Sequence, residues 1–279
     1  MDCRRSARRL TDKSTARVVR ALGTAAVALT VLSGALVSTE REVGACSCGG
    51  PDTTLLGPDR VDDAPLNTKV RVEVPAGTAP GSLLLRVHGR AAPLPAPPRV
   101  IAPGGWTSFV ELTPIAPLEP STRYEVVTVD ASKVPPNRVF GTFTTGRAED
   151  TTAPRIDAMG PAIAYKNTNA MGSMCMVPGP WVTIEGVVAD DPGRGDAQLV
   201  FAVWLGDASG AIDTKRPPTA LTTVHAGRID LGQTSLCDPH AFPFPKAPVA
   251  WLGIAAVDEA GNTSALRRLR VDLAGARQR

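Results

Sequence analysis

From residue 69 onward, apolar and polar side chains alternate with a period of two, and this pattern limits the fold more than any other feature of the chain. In "KVRVEV" (69–74), Val70, Val72 and Val74 alternate with charged residues. Such a segment buries one face and wets the other when it lies in an antiparallel sheet. The same period continues in "SLLLRVHG" (82–89), "WTSFVEL" (106–112), "RYEVVTV" (123–129) and "RVFGTFTT" (138–145). Turn clusters such as "VPAGTAPG", "APGG" and "SKVPPN" separate these stretches. Gly and Pro together account for 52 residues (26 of each), and both interrupt helices. No stretch beyond residue 50 sustains a 3.6-residue period. Short strands joined by Gly/Pro turns predict an all-β chain of sandwich type.

A polar stretch ending in proline, "TTGRAEDTTAPRI", interrupts the series near residue 150 and is expected to be an interdomain linker. A second series then runs through "WVTIEGVVA" (181–189), "AQLVFAVWLG" (197–206), "GRIDL" (227–231), "VAWLGIAAVD" (249–258) and "ALRRLRVDL" (265–273). The 279 residues suffice for two domains of ordinary size. The expected organisation is a leader over 1–45, a cysteine-containing lead-in over 46–65 and a first sandwich over 66–147. A linker over 148–154, a second sandwich over 155–274 and a tail over 275–279 follow. Within the second sandwich, the segment 206–248 is rich in Pro, Thr and Gly and is read as a long insertion with one strand at most.

The leader carries most of the charge asymmetry. Residues 1–45 hold eight basic side chains (Arg4, Arg5, Arg8, Arg9, Lys13, Arg17, Arg20, Arg41) and four acidic ones (Asp2, Asp12, Glu40, Glu42). Subtracting these from 30 basic and 27 acidic residues leaves 22 and 23, close to neutrality. With no basic stripe left, nucleic acid is excluded as the expected partner. The leader's basic start, the uncharged apolar run over 21–37 and the small residues Val43 and Ala45 before a cut make an export signal. An uncleaved signal anchor is the first alternative. Lipidation of Cys46, directly after "VGA", is the second. Either would be the chain's contact with a membrane. The expected location is therefore periplasmic, surface-bound or secreted.

Four cysteines remain after such a cut (Cys46, Cys48, Cys175, Cys237), an even number in a compartment that permits disulfides. Three pairings are open. Cys175 with Cys237 is the expected one, since both fall in the same half of the chain, and closing that loop would stabilise by about 4 kcal/mol in the chain-entropy model. Cys46 and Cys48 tether or anchor the N-terminus.

The segment "PLEPSTRYEVVTV" carries Leu118, Pro120, Thr122 and Tyr124 at alternate positions. This resembles the approach to a late strand in fibronectin type III and bacterial immunoglobulin-like domains. The resemblance implies that the Tyr124 hydroxyl returns to a backbone group a few residues upstream. "PLNTKVRVEV" looks like the first strand of bacterial Ig-like domains found in surface-layer and other exported proteins, and "FGTFTTG" followed by "DTTAP" looks like a last strand and its linker. "AAVDEAGNTS" resembles the final hairpin of Ig-like repeats, with Asp258 and Asn262 capping the turn and Gly261 supplying positive φ. No cysteine follows Tyr124 by two residues, and Cys175, Trp204 and Cys237 lack antibody spacing. Trp204 is expected in the core.

Three metal constellations are readable. Met171, Met174 and Met176 around Cys175, with His240, would suit Cu(I), but the preferred reading is a loop in which methionine fills an irregular gap. Cys175, His225, Cys237 and His240 have zinc ligand types without zinc spacing. "ADDPGRGD" (Asp190, Asp191, Asp196) and "DEAGN" (Asp258, Glu259, Asn262) suit calcium, although turns are built from the same residues and that reading is preferred. His88 is read as a satisfied strand-edge residue. No nucleophile elbow, zincin helix or phosphate loop occurs in the sequence. No catalytic residue and no cofactor are expected. The function expected is non-catalytic, structural, adhesive or partner-binding at the cell envelope, with a protein or glycan as partner. A copper-handling protein and a hydrolase with its site in 206–248 are the alternatives.

Overall fold

The structure, a computed structural model, describes residues 53–103, 107–129, 137–166, 179–194, 198–232 and 242–278. The leader, Cys46, Cys48, Met171, Met174, Cys175, Met176, Asp196, Cys237 and His240 lie outside the described residues. So do the expected Cys175–Cys237 pair, the copper loop and three of the four zinc candidates.

Seven strands form the first sandwich. They are β1 (Thr54–Gly57), β2 (Val70–Pro75), β3 (Leu83–Val87), β4 (Pro98–Pro103), β5 (Thr107–Leu112), β6 (Arg123–Val129) and β7 (Asn137–Thr144). One sheet has the order β1-β2-β5-β4 and the other β3-β6-β7. This is the strand arrangement of a constant-type immunoglobulin domain. The register sets Val72 opposite both Leu55 and Val110, so one apolar stripe crosses the sheet. Val70, Val72, Val74, Val110 and Leu112 meet Leu83, Leu85, Val126 and Phe143 from the facing sheet in a closed core.

The second sandwich comprises β8 (Arg155–Ala158), β9 (Ala162–Lys166), β10 (Pro180–Glu185), β11 (Val188–Asp190) and β12 (Val200–Leu205). It continues with β13 (Ala220–Thr223), β14 (Arg228–Leu231), β15 (Val249–Val257), β16 (Arg267–Asp272) and β17 (Arg277–Gln278). Its sheets are β14-β10-β9-β17 and β13-β12-β15-β16, with β8 and β11 as a separate pair. Its fourth principal strand has changed sheets. In the first sandwich β4 pairs with β5, whereas here β13 pairs with β12. Val182, Ile184, Phe201, Val203, Ile229, Leu252 and Ile254 fill the core.

Two expectations about this half are corrected. The described residues of 206–248 contain two strands, β13 and β14, joined at a tight turn. His225 and Arg228 exchange both backbone hydrogen bonds at 2.9 and 3.0 Å, with Ala226 at φ 50° and Gly227 at φ 72°. Two successive positive φ values give a tight reversal, across which the chain passes from the β12 sheet to the β10 sheet. Trp204 is only half-buried. Because β12 alternates, Phe201 and Val203 point into the core while Trp204 lies on the opposite face, and its indole N–H donates to the Arg216 carbonyl at 3.0 Å.

That opposite face is not solvent. Ala102 and Phe109 from the first sandwich pack against Val200, Ala202 and Leu221 from the second in a third buried cluster. The outer faces of two sheets therefore meet, and the charged half of "KVRVEV" is buried with them, Arg71 at 4% and Glu73 at 7% exposure. The half-buried strand expected from alternation is covered on both sides.

Candidate functional site

The polar part of this seam is built around the turn at residues 258–262. Asp258 Oδ1 accepts hydrogen bonds from the Gly261 and Asn262 backbone N–H groups at 2.7 and 2.8 Å, and Oδ2 accepts from Asn262 Nδ2 at 2.9 Å. Gly261 has φ 91°, a conformation that strains any side chain. A Cβ there would also lie 2.6 Å from Lys69 Nζ. The turn thus fits its own aspartate and the first sandwich together.

Strand pairing brings two further carboxylates to this turn. The β8–β11 register places Asp190 opposite Arg155, so Asp191 arrives beside the linker that carries Asp150. The β12–β15 register places Val200 opposite Val257, which delivers Asp258 to the same loop. One carboxylate oxygen from each of Asp150, Asp191 and Asp258 lies within 4.8 Å of the others. Asp191 is 2% exposed and Asp258 0%, while the Asp150 side chain is 10% exposed.

Their hydrogen bonding is unequal. Asp150 is held by both ends of its backbone, since Asn67 Oδ1 accepts from its N–H at 2.9 Å and Asn67 Nδ2 donates to its carbonyl at 2.8 Å. Its Oδ1 accepts from the Thr152 N–H at 2.8 Å. Among the described residues, its Oδ2 accepts no hydrogen bond, and neither carboxylate oxygen of Asp191 does. Among the described residues, Arg194 is the cation whose charge acts on Asp191. Its guanidinium pairs with Glu259, donates to the Asp63 carbonyl at 2.9 Å and stands 4.0 Å from Asp150 Oδ2. Burial, with Asp150, Asp258 and Glu259 adding repulsion and Arg194 opposing them, pushes the Asp191 carboxyl up to about 6. Burial also raises Asp258, against the hydrogen bonds of Asn262 and Gly261, and raises Glu259, against Gln198 and Arg194. A carboxylate trio of this kind holds either a proton or a cation.

Hydrogen bonds close the seam around it. Lys69 N–H donates to the Glu259 carbonyl at 2.7 Å, and Arg71 Nη1 donates to the Asp258 carbonyl at 2.5 Å. Gln198 and Asp59 exchange two bonds, each of 2.7 Å. Arg71 is paired with Glu111 at 3.2 Å, so its charge is already matched. A cleft of about 590 Å³, lined in part by Asp63, Asp150, Pro192 and Arg194, reaches the trio's outer member, Asp150.

The other sequence candidates are elsewhere. Asp190 is at the surface, 3.2 Å from Arg155. Glu259 belongs to the Arg194 pair. His225 sits at the turn between β13 and β14. His88 Nδ1 is 2.6 Å from Glu125 Oε1, with its side chain 53% exposed. Tyr124 is buried, and its hydroxyl accepts from the Glu119 N–H at 2.8 Å while its ring stacks on Phe143 at 5.5 Å. Sequence reading missed Asp150, because in a linker it reads as solubility. No helix among the described residues is long and apolar enough to cross a membrane.

No family model and no curated protein matches the chain. Among solved structures it is similar to fibronectin type III and immunoglobulin-like modules. The fibronectin(III)-like modules of Clostridium thermocellum CbhA are 8% identical, with 81% of this chain and 94% of that one covered and a TM-score of 0.25. The N-terminal Ig1-2 module of the Drosophila receptor protein tyrosine phosphatase DLAR is 10% identical, covering 80% and 98%, with a TM-score of 0.27. The N-terminal part of the bacterial S-layer protein SbsC is 12% identical, covering 80% and 44%, with a TM-score of 0.22.

Proposed function

We propose that this protein is exported and serves, without catalysis, as a stiff two-module spacer at the cell envelope that presents its strand edges and loops to a protein or glycan. The observation that carries the reading is the seam. Phe109 and Ala102 pack on Val200, Ala202 and Leu221, and hydrogen bonds from Lys69, Arg71, Arg194 and Gln198 cross beside them. Sandwiches linked only through a flexible tether move independently, whereas a packed apolar contact removes that freedom. The basic start and apolar run of the leader support export. Exposed sheet edges are a ready surface for adding a partner's strand.

Small-angle scattering on the purified chain tests the spacer. One fixed separation of the two sandwiches is expected, unchanged by salt, and a broad spread of separations refutes the reading. Mass spectrometry of the chain recovered from cell fractions tests export. An N-terminus at Cys46, outside the cytoplasm, is expected, and an intact leader in the cytosol refutes it.

A further inference from the structure

We propose that Asp150, Asp191 and Asp258 bind one calcium ion in the seam between the two sandwiches. Acidic clusters are common and by themselves mean little. Here the independent observation is Asp191, which is 2% exposed and has both carboxylate oxygens unpartnered among the described residues, one of them within 4.8 Å of oxygens from its two neighbours. A buried carboxylate with no donor is costly unless something positive faces it. Arg194 offsets that charge only in part. It is committed to Glu259 and Asp63 and reaches only the edge of Asp150.

The donors choose the class of ion. Three carboxylates are hard oxygen ligands, suited to calcium or magnesium and unsuited to soft metals. Calcium binds oxygens at roughly 2.3–2.6 Å in a shell that tolerates irregular geometry, so ligands on opposite sides of it stand about 5 Å apart. The three oxygens, all within 4.8 Å of one another, fall inside that span. Magnesium demands a smaller, near-octahedral shell, which ligands from three separate segments do not readily provide. The linker (Asp150), the loop after β11 (Asp191) and the turn after β15 (Asp258) would each contribute one residue. The cleft reaching Asp150 is the route in, and water fills the remaining positions.

The ion would tie the linker to the second sandwich beside the contacts that join that sandwich to the first. It therefore regulates the stiffness on which the proposed spacer role rests. The test takes the full chain, stripped with EDTA, into calorimetric titration with calcium chloride and into thermal melting. One ion per chain is expected, with Tm raised by about 5–10 °C at a calcium concentration a hundred times Kd. Asp191→Asn is expected to weaken calcium binding more than tenfold and to raise the Tm of the metal-free protein, because it removes a buried charge that repels its neighbours. Should that variant fail to fold, Asp150→Asn on the linker gives the same loss of binding. Absence of stoichiometric calcium binding at millimolar concentration overturns the proposal, as does wild-type affinity in the folded variant. An equal Tm shift from magnesium overturns the choice of calcium. Scattering on the stripped chain separates the two readings, since a fixed separation with no calcium binding sinks the ion and leaves the spacer standing.

Discussion

Tyr124 shows how one side chain serves two needs. Its ring fills core space against Phe143, and its hydroxyl satisfies the Glu119 N–H at the corner where the chain passes between sheets. The corner backbone is otherwise held by Thr145, whose hydroxyl bonds the Glu119 carbonyl at 2.5 Å. Tyr124→Phe keeps the packing and strands a part-buried donor, at a cost of about 1–2 kcal/mol. Urea titration should therefore show a lower midpoint with an unchanged slope. Asp191 is the opposite case. Nothing in its local sequence demands burial, and it is held inside only because β11 pairs with β8.

At the scale of elements, the β3–β6 pair carries a small ionic network on its outer face. Glu125 accepts from Arg86 at 2.7 Å and lies 2.6 Å from His88, both across the strand pairing that sets Arg86 opposite Glu125. Burial alone would raise the Glu125 carboxyl, but the Arg86 and His88 contacts outweigh it and hold it below its ordinary value. A depressed folded-state value means that the charged carboxylate stabilises the fold above about pH 4.5, and that this contribution is lost as pH falls through the lower folded-state value. Acid unfolding followed by circular dichroism should show a midpoint moved and a flatter acid limb in Glu125→Gln. Identical acid limbs in both proteins would remove this pair from the account.

At the scale of the whole molecule, the described residues form two sandwiches with three buried apolar clusters, and the third belongs to neither sandwich alone. Phe109, 3% exposed, is its largest buried member. Truncation of a buried phenylalanine costs about 3–5 kcal/mol, and here the loss falls on the contact between modules. Phe109→Ala is expected to lower stability by about 3 kcal/mol and to split a single calorimetric transition into two. A single transition, merely shifted, would mean that other contacts couple the modules.

Local patterning accounts for much of this architecture. The period of two over "KVRVEV", "SLLLRVHG" and "RYEVVTV" set the strands and their inward faces, because alternate side chains leave a strand on opposite sides. Turn chemistry placed Asp258, Gly261 and Asn262 at a tight bend, because those residue types satisfy the turn within a few residues of chain. Shorter strands such as β1 and β17, of four and two residues, are too brief to show a period. Alternation also could not report that the charged side of β2 is buried. Which faces are covered depends on how the two sandwiches pack, and that packing is settled by contacts between residues far apart in sequence. The carboxylate trio has the same origin. Asp150, Asp191 and Asp258 are each ordinary in a linker, a loop or a turn, and only the pairing of β8 with β11 and of β12 with β15 turns three solvated charges into one buried cluster.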